Sequence, residues 1–463
     1  MKPSLKNTLE YAFKNVDFYK QDNYKKILSE NRGKLDHLLL SRLPIIDGNY
    51  FLNDFYKFIP SNPNSYIFDF ETSGSSGTPK NIPVDVNFMS DYVNGVINIF
   101  NDILDGAPKF YINIAPPKPA ISGVLMSRLV ELVNGIEFVP GPGQRILDVL
   151  RNAYAVYSNH KNMGKKVNIM AISSLLFREV YSLNKDELNE LKSLTNSLDV
   201  YVLLAGEPVD FNRVKLLQKM FNTKGVIDLI GTTEGASGYR FYSYNNIINN
   251  NDPGYEFIMN DYNVHYSIFD GNKLLELNNK NVGEKGELTI TQKSRKNKTI
   301  CPLINYNMKE LVIFRGFYKG KPKFEFIGRS NKLTNFSVSK LNDNIIDDVI
   351  AGAILNYDVG EGYAEITREN GLDKLLFHFY KKGFNGDKNS IKSFLENALS
   401  NHEMELSYVI KNKLGLIDID ITDKKEDIPF YVQKGKSIRL MDKRGIEHYW
   451  FRTLKGLKRR LSP

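Results

Sequence analysis

The chain has 463 residues, of which 42% are hydrophobic, 25% charged and 12% aromatic. This length exceeds the size at which one core usually keeps growing, so we expect two domains, and the composition excludes long disordered spans. The single cysteine, Cys301, excludes an intramolecular disulfide and argues against a thiolate metal cluster. The formal net charge of +9 favours anionic partners such as nucleotides, coenzymes, acidic lipids or nucleic acid, without choosing among them.

The N-terminal segment MKPSLKNTLEYAFKNVDFYK carries charges throughout, unlike a signal peptide, and no uncharged apolar run is long enough to span a membrane. We therefore expect a cytoplasmic protein without a membrane span. The six histidines are scattered without an HxxxH pair, which argues against a metal site built on imidazoles. The basic run KGLKRRLSP at the end is typical of a solvated tail.

Strand-like and helix-like segments alternate in the first half of the chain. The strand-like runs are YIFDF, FYINIA, VNIMAI, VYVLLAG and GVIDLIG, and the helix-like stretches include DYVNGVINIFNDIL and SSLLFREVYSLNKDELNELKSL. This alternation predicts an α/β fold with a substantially parallel sheet.

Between residues 255 and 330 the sequence consists of short strand-like runs separated by turns. This pattern predicts an antiparallel region with Gly271-Asn272 in a hairpin turn. From Gly328 onward, helix-like segments at 342–355 and 389–412 accompany strand-like runs such as LIDIDIT, and they predict an α+β domain. We place the boundary at Gly328-Arg329-Ser330, which gives domains 1–328 and 329–463.

The segment ETSGSSGTPK, residues 71–80, follows the first strand-like run. It is not a Walker A loop, because Pro79 stands where a glycine must precede the lysine, and it matches neither GxSxG nor GxGxxG. Glycines expose backbone N–H groups, hydroxyls add donors and Lys80 adds a cation, a combination that favours a bound phosphate. From composition alone, a plain loop remains an equal alternative.

The run TSGSSGTPK resembles the phosphate-loop signature of the adenylate-forming superfamily, which includes acyl-CoA synthetases, peptide-synthetase adenylation domains and luciferases. The resemblance implies a large N-terminal adenylation domain with mixed sheets, binding ATP and an acyl acid, and a smaller mobile α+β C-terminal domain. It also implies that ATP contacts Lys80 and the loop residues Thr72, Ser73, Gly74, Ser75, Ser76, Gly77 and Thr78.

Two further motifs follow in the order of the family. LLAGEPVD, residues 203–210, resembles the strand and turn that lie against adenine, which implicates Gly206, Glu207 and Pro208. IGTTEGASG, residues 230–238, resembles the aromatic-Gly-x-Thr-Glu motif. The resemblance implies that Gly231 and Thr232 bind nucleotide. It makes Thr233, which would meet the phosphate, and Glu234, the ligand of Mg²⁺, candidate catalytic residues. The usual aromatic residue is Ile230 here, which weakens stacking on adenine or leaves it to another group.

The remaining motifs lie between residue 286 and the C-terminus. GELTIT precedes INYNMKELVIF, in which Glu310 occupies the slot of the ribose-binding aspartate of a Tyr-x-x-Gly-Asp pattern. FIGRSNK resembles the domain join, with Arg329 in the ribose and phosphate position and Asn331 in the hinge position. GKSIR implies that Lys436 stabilises the acyl phosphate during adenylation, although neighbouring lysines remain alternatives; these are Lys424, Lys425, Lys434 and Lys443.

The order of segments after residue 314 is similar to the plant hormone-conjugating acyl-acid amido synthetases, while phenylacetate-CoA-ligase-like and acyl-protein synthetase branches share the same core. The resemblance implies ATP and Mg²⁺ as cofactors, a small carboxylic acid as substrate, and an amine as acceptor. A thiol of coenzyme A or of a carrier protein is the alternative acceptor. By the same analogy, the smaller domain would rotate about residues 329–332 between the two half-reactions.

Other features of the sequence have ordinary structural interpretations. Asp418 and Asp420 alternate with isoleucines, which predicts a solvated strand face rather than metal ligands. APPKPAISG, residues 115–123, is either a proline turn or a loop near the acyl pocket. A degenerate nucleotide-binding or nucleic-acid-binding protein without the chemistry stays open as another class, favoured by Ile230, Glu310 and the basic tail.

Overall fold

The computed structural model describes most of the chain. The described residues are 3–35, 37–63, 65, 67–71, 80–115, 121–140, 145–206, 209–254, 256–295, 301–329, 334–336, 339–369, 372–402, 404–432 and 438–444. The predicted phosphate-loop residues 72–78 therefore lie outside the described part, as do Glu207, Pro208, Asn331 and Lys436, the segment 116–120 and the basic tail. For Arg329 the structure gives the backbone only.

The chain divides into two compact units. The first comprises residues 1–208 and 217–331, and the second comprises residues 209–216 and 332–463. The short segment 209–216 thus packs with a part of the chain that follows it by more than a hundred residues.

The first unit is an α/β structure. Its helices are α1 Leu5–Asn15, α2 Asp22–Glu30, α3 His37–Leu40, α4 Asn49–Asp54, α5 Val86–Leu104, α6 Ile121–Leu132, α7 Ile146–Asn159, α8 Ser173–Tyr181, α9 Lys185–Ser197, α10 Phe211–Phe221, whose residues 211–216 belong to the second unit, and α11 Tyr244–Ile248. Its strands are β1 Ile67–Glu71, β2 Asn81–Asp85, β3 Phe110–Asn113, β4 Ile136–Phe138, β5 Lys166–Ala171, β6 Asp199–Ala205, β7 Gly225–Gly231, β8 Ser237–Ser243, β9 Glu256–Met259, β10 Val264–Phe269, β11 Leu274–Glu276, β12 Lys285–Gln292, β13 Tyr306–Tyr318 and β14 Lys321–Arg329.

Within the described part of the first unit, twelve strands form one mixed sheet in the order β11-β10-β12-β13-β14-β9-β8-β7-β6-β5-β3-β4. The strands from β4 to β7 pair in parallel, and the pairings from β7-β8 to β10-β11 are antiparallel. The predicted parallel first half and antiparallel region are confirmed. The first strand-like run differs, because β1 pairs only with β2, its neighbour in sequence, in a separate two-stranded antiparallel sheet.

The predicted hairpin turn at Gly271-Asn272 is confirmed between β10 and β11. The Asp270 carboxylate accepts hydrogen bonds from the backbone N–H groups of Asn272 and Lys273, each at 2.9 Å. Gly271 has φ of 98°, a conformation that favours glycine. The turn therefore depends on an aspartate and a glycine in succession.

The helix-like stretch 173–194 is two helices rather than one. Asn184 begins α9 as its N-cap, because its side chain accepts the N–H of Glu187 at 3.0 Å while the Glu187 carboxylate accepts the N–H of Asn184 at 2.9 Å. This reciprocal capping starts α9, whereas α8 has already ended at Tyr181. The stretch 389–412 is likewise divided into two helices, as given below.

The second unit has an α+β architecture, as predicted. Its helices are α12 Asp343–Asn356, α13 Lys388–His402, α14 Met404–Lys411 and α15 Pro429–Val432. Its strands are β15 Thr334–Phe336, β16 Ser339–Leu341, β17 Gly362–Glu369, β18 Leu372–Tyr380, β19 Gly415–Thr422 and β20 Leu440–Asp442. The main sheet runs β19-β18-β17-β20, with the outer pairs parallel and the central pair antiparallel.

The face of β19 that carries Asp418 and Asp420 is solvated, as predicted. Their side chains are 44% and 54% exposed. Asp418 pairs with Lys374 at 2.9 Å, and Asp420 lies 3.4 Å from a ring nitrogen of His378.

A buried ion cluster ties segment 209–216 to the rest of the second unit. The Arg213 guanidinium donates to Asp347 at 2.7 Å and to Glu361 at 2.9 Å. Arg439 pairs with the same two carboxylates at 2.6 and 2.9 Å. Both arginines and Glu361 are buried, so the paired geometry is what makes their desolvation tolerable.

None of the described helices is long and apolar enough to cross a bilayer.

Candidate active site

Two glycines of the predicted nucleotide motifs lie at the carboxyl ends of adjacent parallel strands. Ala205 of β6 pairs with Leu229 of β7, so Gly206 and Gly231 follow at the same edge of the sheet. Gly206 has φ of 85°, a conformation that favours glycine. Beyond this point β7 pairs with the antiparallel β8, and ligands of open α/β sheets bind outside such strand ends.

Residues 232–236 form a tight loop between β7 and β8. The Thr232 N–H donates to the Ala236 carbonyl at 3.0 Å, and the Thr232 hydroxyl accepts the Ala236 N–H at 3.1 Å. The Gly235 N–H closes the turn by donating to the Thr232 carbonyl at 3.0 Å. Thr233 and Glu234 stand between these anchors and are partly exposed. The loop therefore presents a hydroxyl and a carboxylate next to one another at the strand edge.

Helix α5 packs against one side of this loop. A Cβ atom added at Gly235 would lie 2.2 Å from the Phe88 ring, and one added at Gly231 would lie 2.8 Å from the Tyr92 hydroxyl. The Tyr92 hydroxyl also lies 3.5 Å from the Ala236 carbonyl oxygen. The glycines of the motif thus permit close packing of aromatic rings beneath the loop.

Strands β12 and β13 hold the other side of the loop. The Tyr306 hydroxyl donates to Oε1 of Glu234 at 3.1 Å, across 72 residues of sequence. The Gln292 side-chain amide donates to the backbone carbonyl of Glu234 at 2.8 Å. Sequence reasoning missed both residues, although Tyr306 stands at the tyrosine of the Tyr-x-x-Gly-Asp pattern and could have been found there.

Glu310 and Arg329, the candidate ribose-binding residues, are Cα partners in the β13-β14 pair. Glu310 lies at an irregularity, because the register of β13 against β12 shifts between Glu287 and Thr289. Lys309 stands in the glycine slot of the family pattern and has φ of 59°, the backbone conformation that favours glycine. Its N–H donates to the Asn307 side-chain oxygen at 2.8 Å, which supports this conformation.

Lys80 begins the segment that leads into β2. Its ammonium end lies against Gly48, where an added Cβ would come within 2.2 Å of Nζ. The side chain is partly buried. Glu71 and Asn81 are paired residues of β1 and β2, so the two ends of the predicted phosphate loop are neighbours. The loop residues between them lie outside the described part.

The described residues contain no group of three or more histidine, cysteine, aspartate or glutamate side chains arranged to hold a metal ion. Among the described residues, the Glu234 carboxylate has one hydrogen-bond donor, the Tyr306 hydroxyl, and no cationic partner. Mg²⁺ is commonly held by one or two carboxylates together with substrate phosphates and water. A single, partly exposed carboxylate at a strand edge fits that mode of binding.

The large mixed sheet and the smaller α+β unit are shared with solved ligase structures, so the predicted fold class is confirmed. The chain is similar to a 2-hydroxyisobutyryl-CoA ligase in complex with 2-HIB-AMP, with 14% identity, coverage of 98% of this chain and 90% of that chain, and a TM-score of 0.68. It is also similar to the GH3.15 acyl acid amido synthetase, with 11% identity, coverage of 94% and 90%, and a TM-score of 0.56. ATP-bound MatB from Rhodopseudomonas palustris has 13% identity, coverage of 82% and 67%, and a TM-score of 0.50. No protein-family model and no curated protein matches the sequence.

Proposed function

We propose that the protein activates a carboxylic acid with ATP, forming an acyl-adenylate and pyrophosphate, and then transfers the acyl group to an amine with release of AMP. The observation that carries this proposal is the hydrogen bond between Tyr306 and Glu234. It joins the two motifs IGTTEGASG and INYNMKELVIF, which resemble the phosphate and ribose elements of adenylate-forming enzymes, at one edge of the sheet.

The chemistry of the first step explains the residue types. A carboxylate oxygen attacks the α-phosphorus of ATP, the new acyl–oxygen–phosphorus linkage forms, and the bond to pyrophosphate breaks. Both reactants are anions, so hydroxyls, backbone N–H groups and cations must hold them together and stabilise the crowded phosphorus. We assign these roles to residues 72–78, Lys80 and Thr233, with Gly206, Glu207 and Pro208 along the adenine. Glu310 and Arg329 would contact the ribose.

We propose that Glu234 is the protein ligand of Mg²⁺. The carboxylate is partly exposed and supplies the oxygen ligand that this ion prefers. When bound, the ion would offset the negative charge of the triphosphate. The Glu234 carboxylate would supply one oxygen ligand, and the nucleotide and water would supply the remaining ligands.

We propose that residues 1–328 bind ATP and the acid, and that residues 329–463 contribute Lys436 during adenylation and rotate about 329–332 between half-reactions. Lys436 would place its ammonium group near the developing acyl phosphate. A cytoplasmic location belongs to this proposal as well.

The acceptor of the acyl group separates two versions of the proposal. The order of segments after residue 314 and the likeness to an acyl acid amido synthetase support an amine. The likeness to a CoA ligase supports a thiol, on coenzyme A or a carrier protein. Mass spectrometry of products formed from ATP, a panel of acids and a panel of amines and thiols distinguishes them. Amides as products support the first version, and thioesters alone support the second.

The adenylation step itself is tested by ATP–pyrophosphate exchange with pooled aryl and alkyl carboxylic acids. We expect acid-dependent exchange with the natural chain and its loss in Glu234→Gln. If the natural chain supports no exchange with any pool and instead binds RNA or DNA in a salt-sensitive manner, the protein belongs to the degenerate nucleic-acid-binding class.

A further inference from the structure

Two strands that lie far from Glu234 in sequence donate hydrogen bonds to its carboxylate and to its backbone carbonyl. Its carboxylate accepts the Tyr306 hydroxyl at 3.1 Å, and its backbone carbonyl accepts the Gln292 amide at 2.8 Å. A glutamate in a loop loses side-chain freedom when both ends are bonded. The two contacts therefore limit the orientations available to this carboxylate.

The two donors are themselves well anchored. Tyr306 is 4% exposed, pairs in register with Ile290 of β12, and packs its ring against Phe51 at a centroid distance of 5.9 Å. Gln292 is 3% exposed, and its side-chain oxygen accepts the Leu303 N–H at 3.0 Å. Because that oxygen accepts from Leu303, the amide nitrogen is the atom directed at Glu234.

We propose that Tyr306 and Gln292 are positioning residues that hold Glu234 for a magnesium–nucleotide. This inference rests on the proposed function only for the identity of the ligand. Tyr306 fixes the side chain through a hydrogen bond to a charged acceptor, and Gln292 fixes the main chain of the same residue. Outer groups of this kind commonly change metal affinity about 10–100-fold when they are removed.

The first test measures binding rather than turnover. Mn²⁺, followed by electron paramagnetic resonance, replaces Mg²⁺, and the non-reactive α,β-methylene analogue of ATP is present at saturation. We expect Tyr306→Phe to weaken Mn²⁺ binding about 10-fold, because the ring remains and only the hydroxyl bond to Glu234 is lost.

Tyr266→Phe is the matched control. Tyr266 is 3% exposed in β10 of the same sheet, and its hydroxyl lies 3.1 and 3.0 Å from the backbone carbonyls of Ser237 and Asn260, which share its one proton, rather than bonding Glu234. It also accepts the Ser237 N–H at 3.3 Å. We expect Mn²⁺ affinity to stay within about 2-fold of the natural chain in this variant. Equal weakening in both variants, or no weakening in Tyr306→Phe, overturns the proposal.

Gln292→Met is the second variant and keeps the proposal testable if Tyr306→Phe does not fold. It removes the bond to the Glu234 carbonyl, and the bond from the Leu303 N–H, without changing the carboxylate. We expect weaker Mn²⁺ binding here too, and the thermal unfolding midpoint shows whether the variant is folded. Unchanged affinity in this folded variant contradicts the role of Gln292. If the natural chain binds Mn²⁺ and nucleotide but shows no pyrophosphate exchange, the proposed function fails while the positioning role stands on the binding data.

Discussion

Gly235 is the residue on which the shape of the Glu234 loop depends most directly. Its φ is 104°, which L side chains rarely adopt, and the Phe88 ring occupies the position that a Cβ atom would need. Backbone conformation and packing therefore both require glycine at this position. The glycine that follows the glutamate in this motif is therefore explained by the backbone conformation and by the Phe88 ring.

We expect Gly235→Ala to destabilise the fold by about 1–3 kcal/mol and to reduce pyrophosphate exchange, because the loop must move away from Phe88. Urea unfolding and exchange kinetics measure the two effects. Gly283→Ala is the control, since Gly283 has φ of 94° with no atom within 4 Å of an added Cβ. It carries the backbone strain without the clash, and an effect on exchange as large as that of Gly235→Ala would refute the steric explanation.

Lys309 shows how a departure from the family pattern is accommodated at one residue. The family has glycine in this slot, and the chain keeps the corresponding backbone conformation with a lysine. Asn307 supplies the hydrogen bond that holds it, and the Lys309 ammonium reaches Glu287 at 3.3 Å. The sequence shows the substitution, but only the surrounding contacts explain why the turn survives it.

Helix α5, which packs beneath the candidate loop, begins at a buried aspartate. Asp85 is its N-cap and accepts the Phe88 N–H at 2.9 Å and the Cys301 N–H at 3.2 Å. Burial raises the pKa of Asp85 to about 7, although these hydrogen bonds oppose the shift. The carboxyl group thus keeps its proton in the folded state at pH values where the unfolded chain has lost it.

The sign of the resulting pH dependence follows from this difference. An aspartate in the unfolded chain has a pKa of ~3.9, below that of Asp85 in the folded chain. The contribution of Asp85 to the unfolding free energy is therefore complete below about pH 4 and is lost as the pH rises to about 7. We expect the unfolding free energy of the natural chain, relative to Asp85→Asn, to fall by up to about 1.4 kcal/mol per pH unit in this window.

Urea unfolding at several pH values from 4.5 to 7.5, on the order of one unit apart, measures the difference. Asp22→Asn is the control at the start of α2, where the side chain is 100% exposed. It reports the effect of the same substitution at a solvated helix start. A pH dependence of Asp85→Asn no larger than that of Asp22→Asn would contradict the buried, protonated carboxyl group.

At the scale of the molecule, Arg213 joins segment 209–216 to elements that follow it by 134 and 148 residues. Burial by itself raises the pKa of Glu361, but the guanidinium groups of Arg213 and Arg439 outweigh it and hold that pKa below its usual range. Removing one cation leaves a fully buried carboxylate without half of its compensation.

We expect Arg213→Met to lower the unfolding free energy by about 3–5 kcal/mol, and a second change, Glu361→Gln, to restore part of the loss. Arg151→Met is the control, because Arg151 is 45% exposed where it pairs with Asp148 and Glu190, and its loss should cost about 1 kcal/mol or less. Denaturant unfolding checks the series, and equal losses for the two arginines would show that the cluster adds no special stability.

Lys436 tests the proposal that residues 329–463 contribute to adenylation while residues 1–328 bind ATP and the acid. We expect Lys436→Ala to depress acid-dependent pyrophosphate release far more than acyl transfer from preformed acyl-AMP, because the ammonium group is assigned to the first step only. Stopped assays of the two half-reactions measure this, and Lys443→Ala tests one of the neighbouring lysines that remain alternatives for the same role. Equal loss in both steps would remove Lys436 from adenylation.

The sequence by itself determined the type and order of most elements and the residues with recognisable chemistry. Alternation of apolar residues, helix periodicity and turn signals such as Gly271-Asn272 are local, so they predicted the parallel half, the antiparallel region and the α+β second unit. The candidate residues Gly206, Gly231 and Glu234 came instead from the resemblance of their motifs to the adenylate-forming superfamily, and their roles stay predictions.

Tertiary structure decided what depends on residues distant in sequence. It joined the parallel and antiparallel strands into one sheet, placed Tyr306 and Gln292 on Glu234, and assigned 209–216 to the second unit through Arg213. No local pattern encodes these contacts, because each is a match of register, shape and charge between surfaces that meet only when the chain is folded.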